Sequence, residues 1–307
     1  MLLTKIKESL PRQIINAMKP GYQRYQASRY RMYLKKLGTS ERNILILATI
    51  TKTGTHYMRF LIANYIKLLD NPHAIAVTGN EIDSMLPNGW HTSYLGVRPY
   101  KQPSPLLAQI GLHDIPRSHM PYKPVQWHNT RVLHTYRNPM DFAVFLYVYK
   151  YEYYAEFAGK FSGPVEVLEK HLDGYLEEYI SFKKASKSSA ANILSYSYED
   201  LVRYPEVCLS TALRWMGGDP NPVLVKAAIA RSFEQETSVI GAGEIWQRNQ
   251  TPAVNPQMIK EFTAKCTKNG SVGLWQDYFS AADISRIEKK FEAYELNLND
   301  FTLTIDQ

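Results

Sequence analysis

Cysteine is scarce in this chain of 307 residues: there are two, Cys208 and Cys266, far apart in sequence. Their separation excludes the close pairs that ligate zinc or form redox dithiols, so two free thiols in a reducing compartment are expected. Long apolar runs are missing too. Although 45% of the residues are hydrophobic, no stretch approaches the roughly 18 consecutive apolar residues of a membrane span. Met1 to Leu10 lacks the apolar core of a secretion signal. A cytoplasmic protein is therefore expected, with the sequons at Asn249 and Asn269 as chance matches. Neither an internal repeat nor a low-complexity tract is present, which leaves a globular chain long enough to bury a large core.

Acid is nearly absent from the N-terminus. Glu8 alone faces Lys5, Lys7, Arg12, Lys19, Arg24, Arg29, Arg31, Lys35 and Lys36, with Tyr22, Tyr25, Tyr30 and Tyr33 interleaved. The whole chain carries a formal charge of +7, which suits an anionic ligand, a nucleic acid or an acidic membrane surface. Residues 1–38 read as a basic helical extension and 39–307 as the main domain. Two readings of the extension stand side by side: a helix packed on the domain by its Leu and Tyr face, or an interfacial helix in peripheral contact with anionic lipid at the inner membrane face, or with a polyanionic acceptor.

Asn43 to Ile50 (NILILATI) is an apolar run bounded by turn signals, the pattern of a buried parallel strand. A polar loop, Thr51 to Thr55, follows, and His56 to Asp70 then has apolar residues at helical spacing. Residues 71–128 read as loops with short elements. Arg131 to Tyr136 and Asn192 to Tyr198 read as two further strands. Helices are expected from Asp141 onward, over Pro164 to Lys187 with a break around Gly174, over Pro205 to Met216, within 219–266, and over Ala281 to Tyr294. Strands alternating with helices give an α/β fold with a parallel sheet.

A strand, a short glycine loop and a helix form a phosphate-binding arrangement, because the helix N-terminus presents backbone N–H groups and a positive dipole end to an anion. Gly54 allows close backbone approach, Lys52 supplies charge, and Thr53 and Thr55 supply hydroxyls. The nucleotide-triphosphatase loop is excluded: it needs G-x-x-x-x-G-K-[ST], and here Lys52 precedes the glycine.

Thr51 to Tyr57, TKTGTHY, resembles the P-K-S-G-T-T-W loop of sulfotransferases that use PAPS (3'-phosphoadenosine 5'-phosphosulfate). RVLHTYRNPMDFAVF, Arg131 to Phe145, resembles the second family signature, R-[ND]-P-x-D-x-x-V-S. Tyr198-Glu199-Asp200 resembles the family's Y-E-D, and Lys268 to Trp275 resembles R-K-G-x-x-G-D-W. The order of these pieces carries the resemblance, over roughly residues 43–295. It implies a three-layer, P-loop-like α/β fold with a central parallel sheet flanked by helices. It also implies a sulfotransferase moving a sulfuryl group from PAPS to a hydroxyl or amine, with PAP (adenosine 3',5'-bisphosphate) as product and no metal required.

Carried over residue by residue, the resemblance puts Lys52 on the bridging oxygen and Thr53, Gly54, Thr55 and His56 around the 5'-phosphosulfate. Tyr57 takes the place of a Trp against adenine. Arg137 grips the 3'-phosphate, assisted by Lys268, Asn269 and Gly270, while Tyr198 and Phe233 reach the base. Phe145 departs from the family's Ser and cannot donate a hydrogen bond. Asn269 and Leu274 depart from a Lys and an Asp. Asp141 reads as a helix-start residue, and Glu199 and Asp200 as a capping segment.

His119, in Pro116-Arg117-Ser118-His119-Met120-Pro121, resembles K-T-H-[LF]-P and stands as the general base; an ordinary histidine pKa near ~6.5 suits that role. His113, His128 and His134 are the other candidates, with His134 inside a strand. Arg117 would stabilise charge on the transferring group. On the acceptor side, Tyr147, Tyr151 and Glu152, with Tyr149, Tyr153, Tyr154 and Glu156, suit a sugar ring or a cationic acceptor such as a guanidinium alkaloid; the competing reading is an amphipathic helix whose tyrosines half-bury themselves. The partner is thus an acceptor from among carbohydrates, lipids and small natural products, and not a nucleic acid. The alternative function is a non-catalytic nucleotide or polyanion binder of the same fold, favoured by Phe145 and Asn269.

Overall fold

The structure, a computed structural model, describes residues 45–50, 53–78, 81–82, 85–86, 112, 117–118, 121–122, 130–152, 157–188, 192–242, 256–269 and 272–302. The N-terminal extension lies outside the described residues. Four parallel strands form one sheet in the order β2-β1-β3-β4: β1 Leu45–Thr49, β2 Arg117–Ser118, β3 Arg131–Tyr136 and β4 Ile193–Ser197. Three match the expected apolar runs. β2 falls within the stretch expected to hold loops with short elements, and at two residues it is too short for any periodicity to place it.

The register decides where the loops go. Thr49 lies opposite Thr135, Tyr136 opposite Ser197, and Ala48 opposite Ser118. All strands are parallel, so their carboxyl ends form one edge, and the segments beginning at Ile50, Arg137 and Tyr198 leave the sheet together. Ligands of open α/β sheets bind at that edge.

Alternation along the strands divides the core in two. Leu45, Leu47, Leu133 and Tyr196 pack with helices α1 (Thr55–Asp70), α5 (Pro205–Met216) and α6 (Pro222–Ala242). Tyr136 faces the other way, toward α2 (Pro139–Leu146), α3 (Pro164–Ser186), α7 (Pro256–Asn269) and α8 (Ala281–Ala293). A six-residue helix, α4 (Tyr198–Arg203), follows β4 directly. Sheet between two helical layers is the three-layer arrangement expected.

Helix α1 is buried nearly all round, which explains its apolar composition and why its few polar side chains are tied to groups on other segments. Arg59 donates to the Leu86 carbonyl at 2.5 Å. Asn64 donates to Ser232 Oγ at 3.0 Å and accepts from Val77 N–H at 2.9 Å. Helix α3 runs unbroken through Gly174, contrary to the expected break. A mid-helix glycine costs about 1 kcal/mol, and the buried Leu172, Tyr175 and Leu176 on either side hold the helix across it.

Candidate active site

The glycine loop enters α1 through Gly54, whose φ of 88° lies in the left-handed region. Its neighbour is decisive. A Cβ at position 54 would fall 2.3 Å from Cδ2 and 2.9 Å from Cε2 of Tyr198. The ring that opens the Y-E-D segment therefore lies directly on the loop backbone, and only glycine leaves room for it.

Arg137 is placed by the three residues of R-N-P. The chain leaves β3 at Tyr136. Asn138 caps α2 by accepting from Met140 N–H at 2.9 Å, and Pro139 opens the helix. The residue before proline is held extended, so the arginine is delivered at the strand-to-helix corner. Its backbone is pinned by Tyr175 of α3, whose hydroxyl accepts from Arg137 N–H at 3.0 Å and donates to the Arg137 carbonyl. The Arg137 guanidinium carbon lies 4.0 Å from the Tyr198 ring centroid and 4.1 Å from that of Phe145. Gly54, Tyr198, Arg137 and Phe145 thus form one contiguous cluster at the carboxyl edge of the sheet.

Asp141 brings in the late loop. In the first turn of α2, its carboxylate accepts from the N–H groups of Gly273 and Trp275 at 2.9 and 3.0 Å. It is both the helix-start acid expected and the anchor of a turn far away in sequence. Burial holds its pKa above the usual carboxylate range, opposed by Arg137 and the backbone N–H groups. Asp200 closes a capping box with Ser197, as expected of a capping segment. Glu199 pairs with Arg203 at 2.7 Å, and burial raises its pKa.

Several expected roles are corrected. The Thr53 hydroxyl is turned inward, 2.6 Å from the Ile50 carbonyl and 2.9 Å from that of Thr135. The Thr55 hydroxyl donates to Thr49 Oγ1 at 2.6 Å. Both hydroxyl protons brace the loop against the strand ends. Tyr57, in the first turn of α1, is buried in the core. Tyr147 and Tyr151 are likewise buried, not half-buried, as part of a π-helical turn, Tyr147–Glu152, that prolongs α2. Tyr151 packs edge-on to Phe161 at 4.6 Å, with its hydroxyl 3.2 Å from His171 Nε2. Tyr147 is hydrogen-bonded to Glu152; burial first, then that carboxylate, raises its pKa. These tyrosines build the second core rather than an open aromatic wall. Phe233, in contrast, is 49% exposed on α6.

His134 is structural, as its place in a strand predicts. Its ring stacks on Phe182 at 3.9 Å, and burial pushes its pKa down to about 3. Arg117 lies in β2, and Lys268 and Asn269 end α7. Lys52, Gly270, His113, His119, His128, Tyr153, Tyr154 and Glu156 lie outside the described residues. Among the described residues nearest His119 in sequence, Arg117 and Ser118 pair with β1, and Tyr122 N–H donates to Ser181 Oγ of α3 at 2.9 Å. Both cysteines are buried thiols outside any disulfide.

The profile of the sulfotransferase domain matches residues 42–301. The chain belongs to that family. Solved structures of the same fold include retinol dehydratase in a complex with retinol and PAP, at 16% identity and a TM-score of 0.54, the match covering 86% of this chain and 85% of that one. A second complex of retinol dehydratase, with androsterone and inactive cofactor PAP, matches at 16% identity and a TM-score of 0.52, over 81% of this chain and 80% of that one. Mouse sulfotransferase SULT7A1 complexed with PAP matches at 15% identity and 0.53, over 86% of this chain and 88% of that one. Among curated protein sequences none matches significantly. This sulfotransferase domain shows no helix, among its described residues, long and apolar enough to cross a membrane.

Three features of the site were not anticipated: the Tyr175 clamp, the reach of Asp141 to Gly273 and Trp275, and the seat of Arg137 on Phe145. Only the second had a sequence signal, an acid one helical turn from a signature arginine.

Proposed function

We propose that this sulfotransferase moves the sulfuryl group of PAPS to a hydroxyl or amine of a small-molecule acceptor. The observation that carries the reading is the convergence, at one edge of the parallel sheet, of the Gly54 loop, the Arg137 corner, the Tyr198 ring and the turn anchored by Asp141. The cradle fits the donor at two points. The α1 N-terminus, brought close by a glycine that nothing larger could replace, suits the 5'-phosphosulfate. Arg137 suits the 3'-phosphate, because a guanidinium gives two parallel hydrogen bonds to a phosphate.

In this reading Lys52 neutralises charge building on the bridging oxygen as the S–O bond breaks. Backbone N–H groups of the α1 first turn hold the donor's oxygens in line. His119, just past the end of β2, takes the proton of the attacking hydroxyl or amine. Positioning and electrostatic preorganisation supply most of the acceleration. Retinol and androsterone, the molecules bound by the retinol dehydratase neighbours, support a small-molecule acceptor here, and the burial of Tyr147 and Tyr151 takes away the aromatic wall that favoured a sugar or a guanidinium alkaloid.

Calorimetric titration with PAP, using ADP and ATP as controls, tests the donor assignment. PAP binding tighter than ADP without Mg²⁺ is the expected result; preference for ATP with Mg²⁺ refutes it. Transfer rates of Lys52→Ala and His119→Ala test the chemistry, and wild-type rates in both would remove these residues from the mechanism.

A further inference from the structure

Phe145 stands where the family resemblance places a serine, yet it touches the same arginine. Its ring lies 4.1 Å from the Arg137 guanidinium carbon, and the Tyr198 ring lies 4.0 Å from it. Arg137 is 4% exposed and Phe145 6% exposed, so the contact is desolvated. Phe145 does not drift. Phe262 of α7 meets it edge-on at 4.9 Å, and Tyr149 lies 5.7 Å away. Asp141, one turn earlier on α2, interacts electrostatically with Arg137.

We infer that Phe145 is a positioning residue for Arg137, holding the guanidinium for the 3'-phosphate by a ring-face contact in place of a direct hydrogen bond from a serine. The inference rests on the donor reading above. Its physical basis is that a desolvated cation over a ring face is attracted by the ring quadrupole. Both contacts are made through ring faces and not through an oxygen lone pair, so neither competes with phosphate oxygens for the N–H donors. The guanidinium is oriented before the ligand arrives, and less side-chain freedom is lost on binding. Phe262 lies on the helix that leads into the Asp141-anchored turn, so the same ring also ties the arginine corner to the late loop.

The test compares PAP with AMP, which lacks the 3'-phosphate, by calorimetry on the full chain. Phe145→Leu keeps an apolar side chain and removes the ring; Phe145→Tyr keeps the ring. The expected result is a loss of about 3- to 30-fold in PAP affinity for Phe145→Leu, with AMP affinity unchanged and PAP affinity restored in Phe145→Tyr. Equal loss toward both nucleotides, or no loss toward PAP, overturns the inference. Phe145→Met asks the same question if the leucine variant fails to fold. A wild-type protein that binds PAP no more tightly than AMP overturns the donor reading itself, and that failure is visible before any variant is made.

Discussion

Replacing Gly54 with alanine should damage this protein in two separable ways. The first is backbone strain: a φ of 88° costs a residue with a Cβ about 1–2 kcal/mol. The second is collision. The new methyl would sit 2.3 Å from Tyr198 Cδ2, and ordinary carbon contact starts near ~3.5 Å, so the ring must retreat by about 1 Å. Overpacking of that kind costs about 1–3 kcal/mol, for a total of about 2–5 kcal/mol. Gly217 supplies the control. Its φ is 100° and no atom lies within 4 Å of its would-be Cβ, so Gly217→Ala carries the strain alone. The gain in unfolded-chain rigidity on replacing glycine is common to both and cancels. Urea unfolding followed by circular dichroism gives the two stabilities, provided the slope is unchanged. The expected difference is about 1–3 kcal/mol, and it should vanish when Gly54→Ala is made in a Tyr198→Ala background. The retreating ring also leaves Arg137, so PAP affinity should fall in Gly54→Ala and hold in Gly217→Ala. If Gly54→Ala costs no more than Gly217→Ala, Tyr198 does not pack on the loop and the site described here is wrongly assembled.

Glu178, on α3 between Tyr175 and Phe182, is a carboxyl that burial pushes up to about 7 from its usual 4.5. The native state therefore holds a proton that the unfolded chain releases, so stability is highest below pH ~4.5 and falls as pH rises through ~7. Glu178→Gln should remove this loss, at most about 3 kcal/mol, and flatten urea midpoints between pH 5 and pH 8; an unchanged pH profile would show the carboxyl to be hydrated. Asp141→Ala leaves the Gly273 and Trp275 N–H groups without their acceptor and should cost about 1–3 kcal/mol, with hydrogen exchange at those two amides accelerated more than in the sheet. Tyr175→Phe removes both bonds to the Arg137 backbone; a cost of about 1–3 kcal/mol in urea unfolding is expected, and a loss under 0.5 kcal/mol, the scale of a neutral surface change, would argue against the clamp.

What the sequence determined by itself was local. Three strands were legible because an apolar run between turn signals has few other uses, and the Arg137 corner was legible because Asn138 and Pro139 can only end a strand and start a helix there. Gly54 was legible as a loop glycine. The parallel register then brings the strand ends together without further instruction. Tertiary structure alone decided the rest. Whether Thr53 and Thr55 turn toward a ligand or a strand end depends on carbonyls and hydroxyls supplied by other segments, Thr135 among them. Whether Tyr147 and Tyr151 line a pocket or fill a core depends on α3, α7 and the segment around Phe161. Gly174 does not break α3 because packing on both sides outweighs a propensity of about 1 kcal/mol. The contacts that make the site, Tyr198 on Gly54, Phe145 on Arg137 and Asp141 on Gly273, join residues that no periodicity links. Local rules act over a few residues; burial and long-range pairing are settled only when the layers close.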